Sequence, residues 1–322
     1  MKVAPVLLEL NKYPDVLAEV VHTGQHYDYE MSDIFLKDLG IKKPDYFFEA
    51  GTGTHAEQTA RIMLAFEKIC IKSKPNLVIV VGDVNSTLAC ALTAKKLNIK
   101  IAHIESGLRS FDMSMPEEIN RMVVDRISDF LFVSEKSGIV NLKREGADCK
   151  NIFFVGNTMI DSLLFGLNRL KEVDSRRFRT SQLKQSLGDY GVVTLHRPSN
   201  VDEKGTLAGI VAVLSHIARK TPLIIPLHPR TRKNLRRFRI KIPNHIYSLA
   251  PLGYLEFLFL YKDARFVLTD SGGLQEETTF LKIPCLTLRQ NTERPVTVTQ
   301  GTNTIVGNNI RSVVAKVDSI LA

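Results

Sequence analysis

Short apolar runs rich in β-branched residues alternate with helical stretches along almost the whole chain, and this alternation limits the possible folds most. Continuous apolar strands separated by helices are typical of parallel sheets covered on both faces. The pattern therefore predicts an α/β protein with doubly wound parallel sheets. The predicted strands are Ala18–His22, Leu77–Val81, Ile101–Ile104, Phe130–Val133, Ile152–Val155, Val192–Leu195, Leu223–Pro226, His245–Leu249, Phe266–Thr269 and Pro284–Leu288.

The chain has 322 residues, a length that suits two domains. The segment from Lys171 to Tyr190 is polar and charged and contains few apolar residues. We therefore predict one doubly wound domain over residues 1–170 and a second over 171–322, with a cleft between them. Ligands of such sheets bind at the carboxyl ends of the strands, and the notable polar residues of this chain follow predicted strands.

Composition narrows the classes of partner. No apolar run approaches the ~20 residues that span a bilayer, so no membrane partner is predicted. The four cysteines are scattered without metal-like spacing and are typical of free thiols in a reducing cytoplasm. Much of the formal charge of +9 comes from the basic cluster Arg230–Lys241. This cluster is either a solvated basic face of the protein or a binding surface for an anionic partner. The cluster has no interleaved aromatic residues, which argues against nucleic acid.

A glycine turn follows the predicted strand Phe266–Thr269. Ser271, Gly272 and Gly273 open a helix there, and unpaired N–H groups at a helix start can hold a phosphate. A plain strand–helix turn is the alternative, because Gly-Gly turns are common. Glu277, one to two helical turns further on, could reach a sugar or ribose hydroxyl.

Three carboxylates follow strands or open a helix in the first half of the chain. Asp83 could be a helix N-cap or an acid–base group. Glu105 could face a cleft or pair with Arg109, and Glu117 could serve only the positive end of a helix. If all three lie on one rim they repel, and one should hold a proton near neutral pH, as acid–base chemistry requires.

Histidines follow two strands of the second half, in His196-Arg197 and in His228-Pro229-Arg230. A single histidine is more often structural than catalytic. Two strand ends that each carry histidine beside arginine favour diphosphate binding and proton transfer. Four further histidines lack such neighbours and are predicted to be structural: His22, His26, His55 and His103.

Taken in order, these motifs resemble the non-hydrolysing UDP-N-acetylglucosamine 2-epimerases of bacteria and archaea. Any one motif is weak, but the ordered set covers essentially the whole chain. The matching segments are His22–His26, Gly82-Asp83, His103–Arg109, Pro116–Arg121, Val155–Thr158, His196-Arg197, Ser271–Glu277, Thr292–Pro295 and Gly301-Thr302.

The resemblance implies two Rossmann-like domains of glycosyltransferase-B architecture with a UDP-sugar in the interdomain cleft. It implies interconversion of UDP-GlcNAc and UDP-ManNAc for surface polysaccharide synthesis, through elimination of UDP to 2-acetamidoglucal and re-addition. The resemblance implies no metal, nicotinamide or other cofactor. It implies a cytoplasmic homodimer. The alternatives are a hydrolysing 2-epimerase that releases free ManNAc and a truncated, inactive UDP-sugar binder.

Site residues are carried over by matching motifs. The implied catalytic residues are Asp83, Glu105, Glu117 and His196. The diphosphate would be held by Ser271, Gly272 and Gly273, with Arg294 and Lys2 nearby. Glu277 would hold the ribose, and Phe257 would pack against the uracil. Arg109 and Arg197 complete the implied substrate-binding set.

The chain departs from the family pattern in three places. Family members begin with a strand and a Gly-Thr-Arg-Pro-Glu turn, and this chain starts just after it, so we expect the first strand to be missing. The family's last helices also have no counterpart before Ala322. The segment Gln25–Asp28 differs from the bacterial version, so allosteric activation by a second UDP-sugar is not carried over.

Overall fold

A computed structural model describes residues 1–24, 34, 36–51, 53–307 and 310–321. Within them the chain forms two compact units, Met1–Ser162 and Leu163–Ala322. The division falls inside the helix Thr158–Glu172, shortly before the predicted boundary at residues 170 and 171. The polar segment begins only where this helix ends, so composition alone could not place a division within the helix.

The first unit consists of short parallel strands separated mostly by helices. Its elements are α1 (Ala4–Leu10), β1 (Val21–His22), β2 (Tyr46–Phe47), α2 (His55–Ser73), β3 (Leu77–Val81), α3 (Asn85–Lys96), β4 (Lys100–Ile104), α4 (Pro116–Ile127), β5 (Phe130–Val133), α5 (Lys136–Arg144), β6 (Ile152–Phe154) and the start of α6 (Thr158–Glu172).

All strand pairs of the first unit are parallel. β3, β4, β5 and β6 form a four-stranded sheet in that order, while β1 and β2 pair with each other in a separate sheet. Helix α2 packs its apolar face, including Ile62 and Phe66, into one core with Val78 and Val80 of β3. Leu77 and Ile79, which alternate with these residues on the opposite face of β3, are 40% and 37% exposed.

The second unit continues with shorter helices. Its elements are α7 (Ser181–Leu187), β7 (Gly191–Thr194), α8 (Pro198–Val201), α9 (Lys204–Ile217), β8 (Leu223–Pro226), α10 (Pro229–Phe238), β9 (Ile246–Leu249), α11 (Tyr254–Tyr261), β10 (Phe266–Thr269), α12 (Gly272–Phe280), β11 (Cys285–Thr287), α13 (Pro295–Thr299), β12 (Asn303–Ile305) and α14 (Ile310–Leu321).

The second unit has one six-stranded parallel sheet in the order β12-β11-β10-β7-β8-β9. The chain builds one side of the sheet from β7 outwards and then returns to build the other side from β10. β7 and β10 therefore flank the topological switch point, where the connecting loops diverge and ligands of such sheets bind. The residues that follow these two strands are His196-Arg197 and Asp270-Ser271.

Most predicted elements are confirmed within one to three residues at each end. The sequence Thr54-His55-Ala56-Glu57 predicts a capping box, which the structure has at the start of α2, and a last helix predicted over Ile310–Leu321 is α14. The short strands β2 and β12 were not predicted, because pattern rules need longer apolar runs. The pattern of Asp28–Leu39, which is followed by Gly40, predicts a helix, but most of it and the segment Gln25–Asp28 lie outside the described residues. Among the helices that the structure describes, none is long and apolar enough to cross a membrane.

Candidate active site

The turn after β3 is the first part of the site in the first unit. Gly82 adopts a φ of +71°, which an L side chain rarely adopts. A Cβ on Gly82 would lie 3.3 Å from Nζ of Lys2 and 3.4 Å from Oε2 of Glu105. Lys2 and Glu105 form an ion pair with each other. The structure thus brings Lys2 and Glu105 against the turn that carries Asp83.

Glu105 lies at the end of β4 in a strained backbone conformation. Its φ is +73°, although it has a side chain, and its side chain is only 5% exposed. A non-glycine residue in this region costs about 1–3 kcal/mol and is often found at functional sites. The backbone N–H groups of Glu105 and Ser106 both donate to the carbonyl of Phe132, at 3.0 and 3.1 Å. These bonds hold the strained turn in place.

Helix α4 fixes Asp83 from the other side. Nη2 of Arg121 donates to Oδ2 of Asp83 at 2.5 Å, and Nδ2 of Asn120 donates to the Asp83 carbonyl at 2.8 Å. The alternative that Asp83 is the N-cap of α3 is wrong, because Val84 occupies that position. Glu117 lies one helical turn before Arg121, so α4 carries one of the three carboxylates and holds another.

Two of the three carboxylates have cationic partners, which offset the repulsion predicted among them. Lys2 pairs with Glu105, and Arg121 pairs with Asp83. Whether one carboxylate also holds a proton stays a prediction.

Arg109 has other partners than the sequence suggested. The alternative that it pairs with Glu105 is wrong: Nη1 lies 2.7 Å from Oδ2 of Asp125, and Nε and Nη2 donate to Glu145 at 2.9 and 2.6 Å. The Arg109 side chain is 1% exposed. Because protein groups occupy the guanidinium, the expectation that Arg109 contacts a ligand finds no support in the geometry.

In the second unit, Asp270 organises the residues after β7 and β10. Its carboxylate is fully buried and accepts hydrogen bonds from the backbone N–H groups of His196 and Arg197, at 3.0 and 2.9 Å, and from Asn200 at 3.2 Å. Oδ1 of Asp270 also lies 2.8 Å from Nδ1 of His196. Burial alone would raise the pKa of Asp270, but the bond to His196 and the backbone donors lower it below its ordinary value.

This arrangement decides which nitrogen of His196 is offered to a ligand. A carboxylate that accepts from Nδ1 leaves Nε2 as the outward nitrogen. The His196 side chain is 36% exposed, and its ring lies 5.6 Å from that of His228. Asp270 was missed as a functional residue, although it directly precedes the glycine turn that the sequence singled out.

The glycine turn has the geometry of an anion site. Ser271 occupies the N-cap position of α12 without a side-chain capping bond, and its own N–H donates to Oγ1 of Thr269 at 2.9 Å. A Cβ on Gly272 would meet only Oε2 of Glu293, at 3.9 Å, so the space beside this backbone is open. The first turn of α12, which includes Gly273, therefore offers backbone N–H groups to a ligand.

Glu277 lies deeper, on the buried face of α12. Its oxygens accept hydrogen bonds from the hydroxyls of Tyr261 and Tyr254, at 2.8 and 3.3 Å. Burial raises the pKa of Glu277 to about 7, although the two tyrosine bonds lower it. The half-buried ring of Phe257 lies 5.0 Å from that of Tyr261, which links the residues predicted to hold ribose and uracil.

The loop after β11 is held by buried ion pairs. Nε of Arg294 lies 2.8 Å from Oε1 of Glu276, and Arg289 donates to both oxygens of Glu293 at 3.0 and 2.8 Å. Thr292 donates to Gln275 of α12 at 2.7 Å. These contacts hold Arg294 against the helix whose first turn carries the glycine motif.

The basic cluster on and after α10 is exposed, as a solvated face would be. Nε and Nη2 of Arg230 donate to the carboxylate of Asp202 at 2.8 and 2.5 Å. This pairing does not support the diphosphate binding that the His228-Pro229-Arg230 motif suggested for Arg230.

A six-stranded sheet of Rossmann order, with polar residues at the carboxyl ends of its central strands, belongs to the doubly wound nucleotide-binding class. Residues 8–322 match the family described as UDP-N-acetylglucosamine 2-epimerase. The chain belongs to this family, and its fold class, two Rossmann-like doubly wound domains of the glycosyltransferase-B type, is confirmed.

Relatives agree with this placement. A UDP-N-acetylglucosamine 2-epimerase homolog of Methanococcus maripaludis is 46% identical over 96% of this chain and 86% of its own length. A UDP-2,3-diacetamido-2,3-dideoxy-D-glucuronate 2-epimerase of Pseudomonas aeruginosa is 45% identical over 89% of this chain and 79% of its own. The crystal structure of Methanocaldococcus jannaschii UDP-GlcNAc 2-epimerase in complex with UDP-GlcNAc and UDP has a TM-score of 0.93 at 43% identity, covering 99% of this chain and 89% of that one.

Proposed function

We propose that this chain is a UDP-N-acetylglucosamine 2-epimerase that interconverts UDP-GlcNAc and UDP-ManNAc. The observation that carries the proposal is the carboxylate arrangement of the first unit, in which Lys2, Glu105 and the Asp83 turn meet and Arg121 of α4, the helix that also carries Glu117, holds Asp83. Carboxylates held on rigid elements are what proton transfer at a sugar carbon requires.

The proposed reaction begins at the anomeric bond, because the hydrogen on carbon 2 of the sugar is not acidic. The C1–O bond breaks and its electron pair leaves with UDP. The oxocarbenium character at carbon 1 acidifies the neighbouring hydrogen, which a carboxylate removes as a proton, and a C1=C2 double bond forms. The product is 2-acetamidoglucal. UDP then adds back to carbon 1, and a proton reaches the opposite face of carbon 2.

We assign the proton transfers to Asp83, Glu105 and Glu117. The strained backbone of Glu105 and the ion pairs that hold Asp83 and Glu105 support the assignment, because each fixes a carboxylate in one direction.

We propose that groups of the second unit bind the departing UDP. The first turn of α12, with Ser271, Gly272 and Gly273, would hold the diphosphate, and His196 would stabilise its developing charge. Asp270 orients His196 for this task. Lys2, Arg197 and Arg294 are proposed as further diphosphate contacts, with Glu277 at the ribose and Phe257 at the uracil.

The test is proton NMR of the full chain with UDP-GlcNAc in deuterated water. UDP-ManNAc that carries deuterium at carbon 2 is the expected product, because the proton removed from carbon 2 exchanges with solvent. Free ManNAc with UDP would instead identify a hydrolysing 2-epimerase. Saturation transfer to the uridine without any product would identify an inactive UDP-sugar binder.

A second substrate has specific support. The Pseudomonas aeruginosa relative, named for UDP-2,3-diacetamido-2,3-dideoxy-D-glucuronate, is 45% identical, close to the 43% of the Methanocaldococcus jannaschii epimerase. Both names describe epimerisation at carbon 2. The same NMR assay, run with the diacetamido sugar nucleotide, decides between the two substrates. If that compound is turned over faster than UDP-GlcNAc, it is the substrate instead.

Location and assembly are proposed separately. The four cysteines are free thiols, three of them buried, which supports a reducing compartment such as the cytoplasm. The homodimer and the supply of UDP-ManNAc for surface polysaccharide stay predictions from the family resemblance. Light scattering of the purified chain measures its oligomeric state directly.

A further inference from the structure

The ring of His103 connects the turn of Asp83 to α4. His103 lies on β4, is fully buried, and is flanked in the sheet by Val80 and Leu131, both of which are buried. Nε2 of its ring lies 2.9 Å from the carbonyl oxygen of Gly82, and Nδ1 lies 2.7 Å from Oδ1 of Asp125. The ring therefore bridges two elements that carry proposed catalytic carboxylates.

Both ring nitrogens face groups that accept hydrogen bonds. The Gly82 carbonyl can only accept. Oδ2 of Asp125 lies 2.7 Å from Nη1 of Arg109 and accepts from the N–H of Gly107 at 3.0 Å, as an ionised carboxylate does. A neutral imidazole has one N–H and would leave the other nitrogen facing an acceptor. Two acceptors therefore require the doubly protonated imidazolium.

The surroundings favour this charged form. Burial lowers the pKa of His103, but Asp125 and the Gly82 carbonyl raise it, and the net direction is upward. Burial likewise would raise the pKa of Asp125, whereas His103 and Arg109 lower it below its ordinary value. The two groups stabilise each other as a buried ion pair.

The charged groups around His103 come from a few elements. Asp125 faces it from α4, and the charge of Glu105 acts on it from the end of its own strand. Arg109 acts through Asp125, and Lys2 is the partner of Glu105. The neighbouring strands contribute apolar side chains at this level.

We propose that His103, expected from the sequence to be merely structural, is a positioning residue for the epimerase reaction. As an imidazolium it fixes the Gly82 carbonyl, and with it the direction of Asp83, and it keeps positive charge close to Glu105. This inference rests on the proposed function. Its experiments include two readouts that do not need turnover, so that failure of one can be told from failure of the other.

The first experiment is NMR of the full chain with ¹⁵N-labelled histidine. At about pH 8, above the ordinary histidine pKa of about 6.5, we expect one ring with both nitrogens protonated and with slowly exchanging protons. His103→Gln should remove this signal, and His216→Gln, which changes an exposed histidine of α9, should not. A neutral His103 ring at this pH overturns the proposed charge.

The second experiment is hydrogen exchange of the turn at Gly82–Asn85. We expect faster exchange there in His103→Gln, with unchanged protection in the second unit, because the Gly82 carbonyl loses its donor. Unchanged exchange at the turn overturns the positioning role. If this variant does not fold, Asp125→Asn decides: its amide can donate to a neutral His103 that still holds the Gly82 carbonyl, so the turn should stay protected while the NMR signature becomes neutral.

The third experiment measures kcat and KM for UDP-GlcNAc across pH. In His103→Gln we expect kcat to fall on the order of 100-fold, the cost of misplacing a reacting group, with UDP affinity within about twofold of the unchanged chain. The acid limb of kcat/KM should move to higher pH in this variant, since carboxylates that lose nearby positive charge bind protons more tightly. An unmoved acid limb in His103→Gln would reduce His103 to a packing residue.

Discussion

At the scale of single residues, the carboxylates of the first unit are distinguished by their partners. Asp83 is held by Arg121 and Asn120, and Glu105 by Lys2. Glu118, the neighbour of Glu117, is 1% exposed and accepts from backbone N–H groups of Ser110 and Phe111. Adjacent glutamates on one helix thus have different roles, since one stabilises a loop and the other is half-buried and proposed for catalysis.

Asp83→Asn and Glu117→Gln should each abolish turnover while UDP still binds. Both changes keep the shape of the side chain and remove its ability to take a proton. Turnover is measured by NMR and UDP affinity by calorimetry, with Glu67→Gln, an exposed glutamate of α2, as the matched control. Full activity in both variants would contradict the catalytic assignment.

Glu277 should make folding stability depend on pH. Its pKa is about 7 in the folded chain, against an ordinary value of 4.5, so the folded chain keeps a proton that the unfolded chain loses. Stability should therefore fall as pH rises from about 4.5 to about 7, by on the order of 3 kcal/mol. Glu277→Gln should lack this decline.

Denaturant unfolding of both chains at several pH values, without ligand, measures the difference. Glu67→Gln serves again as control and should follow the unchanged chain. Parallel pH profiles for Glu277→Gln and the unchanged chain would show that burial of this carboxyl does not shift its proton affinity.

At the scale of elements, the helix start after β10 is the part of the second unit most open to an anion. Gly273 lies in the first turn of α12, where the backbone N–H groups have no hydrogen-bond partner within the helix. A side chain there would stand between the backbone and a phosphate.

Gly273→Ala should weaken UDP binding by about tenfold or more, since ~1.4 kcal/mol per lost interaction corresponds to tenfold. The matched control is Gly209→Ala in α9, where an added Cβ meets no atom within 4 Å. That control should bind UDP normally and be equally stable or slightly more so. Calorimetric titration with UDP measures both, and equal affinity in the two variants would remove the diphosphate from this turn.

At the scale of the whole molecule, the two units are predicted to respond differently to UDP alone. The proposed uridine and diphosphate contacts lie mostly in Leu163–Ala322, at the carboxyl ends of β7 and β10 and along α12. Ligand that binds the folded state stabilises it by about 2.7 kcal/mol at 100 times its Kd.

Hydrogen exchange with and without UDP should therefore show added protection concentrated at Asp270–Glu277 and around His196. Protection confined to the first unit would contradict the division of labour proposed here. UMP, which lacks one phosphate, is the matched ligand and should protect the first turn of α12 less than UDP does.

The α/β class, the parallel strands and most of the residues at their carboxyl ends could be predicted from the amino-acid sequence. Those features follow from local pattern, because a continuous apolar run, a glycine turn or a capping box is encoded by neighbouring residues. The bounds of Leu77–Val81, Phe130–Val133, Leu223–Pro226 and Phe266–Thr269 were predicted without error.

The contacts between side chains could not be predicted in this way and follow from the packing of the chain. Lys2 pairs with Glu105, Arg109 with Asp125, and Asp270 with His196. Such partners lie far apart along the chain, and their choice depends on which strands and helices pack together. The protonation of buried groups such as His103 and Glu277 follows from those contacts, because burial and neighbouring charges, rather than residue type, set their pKa.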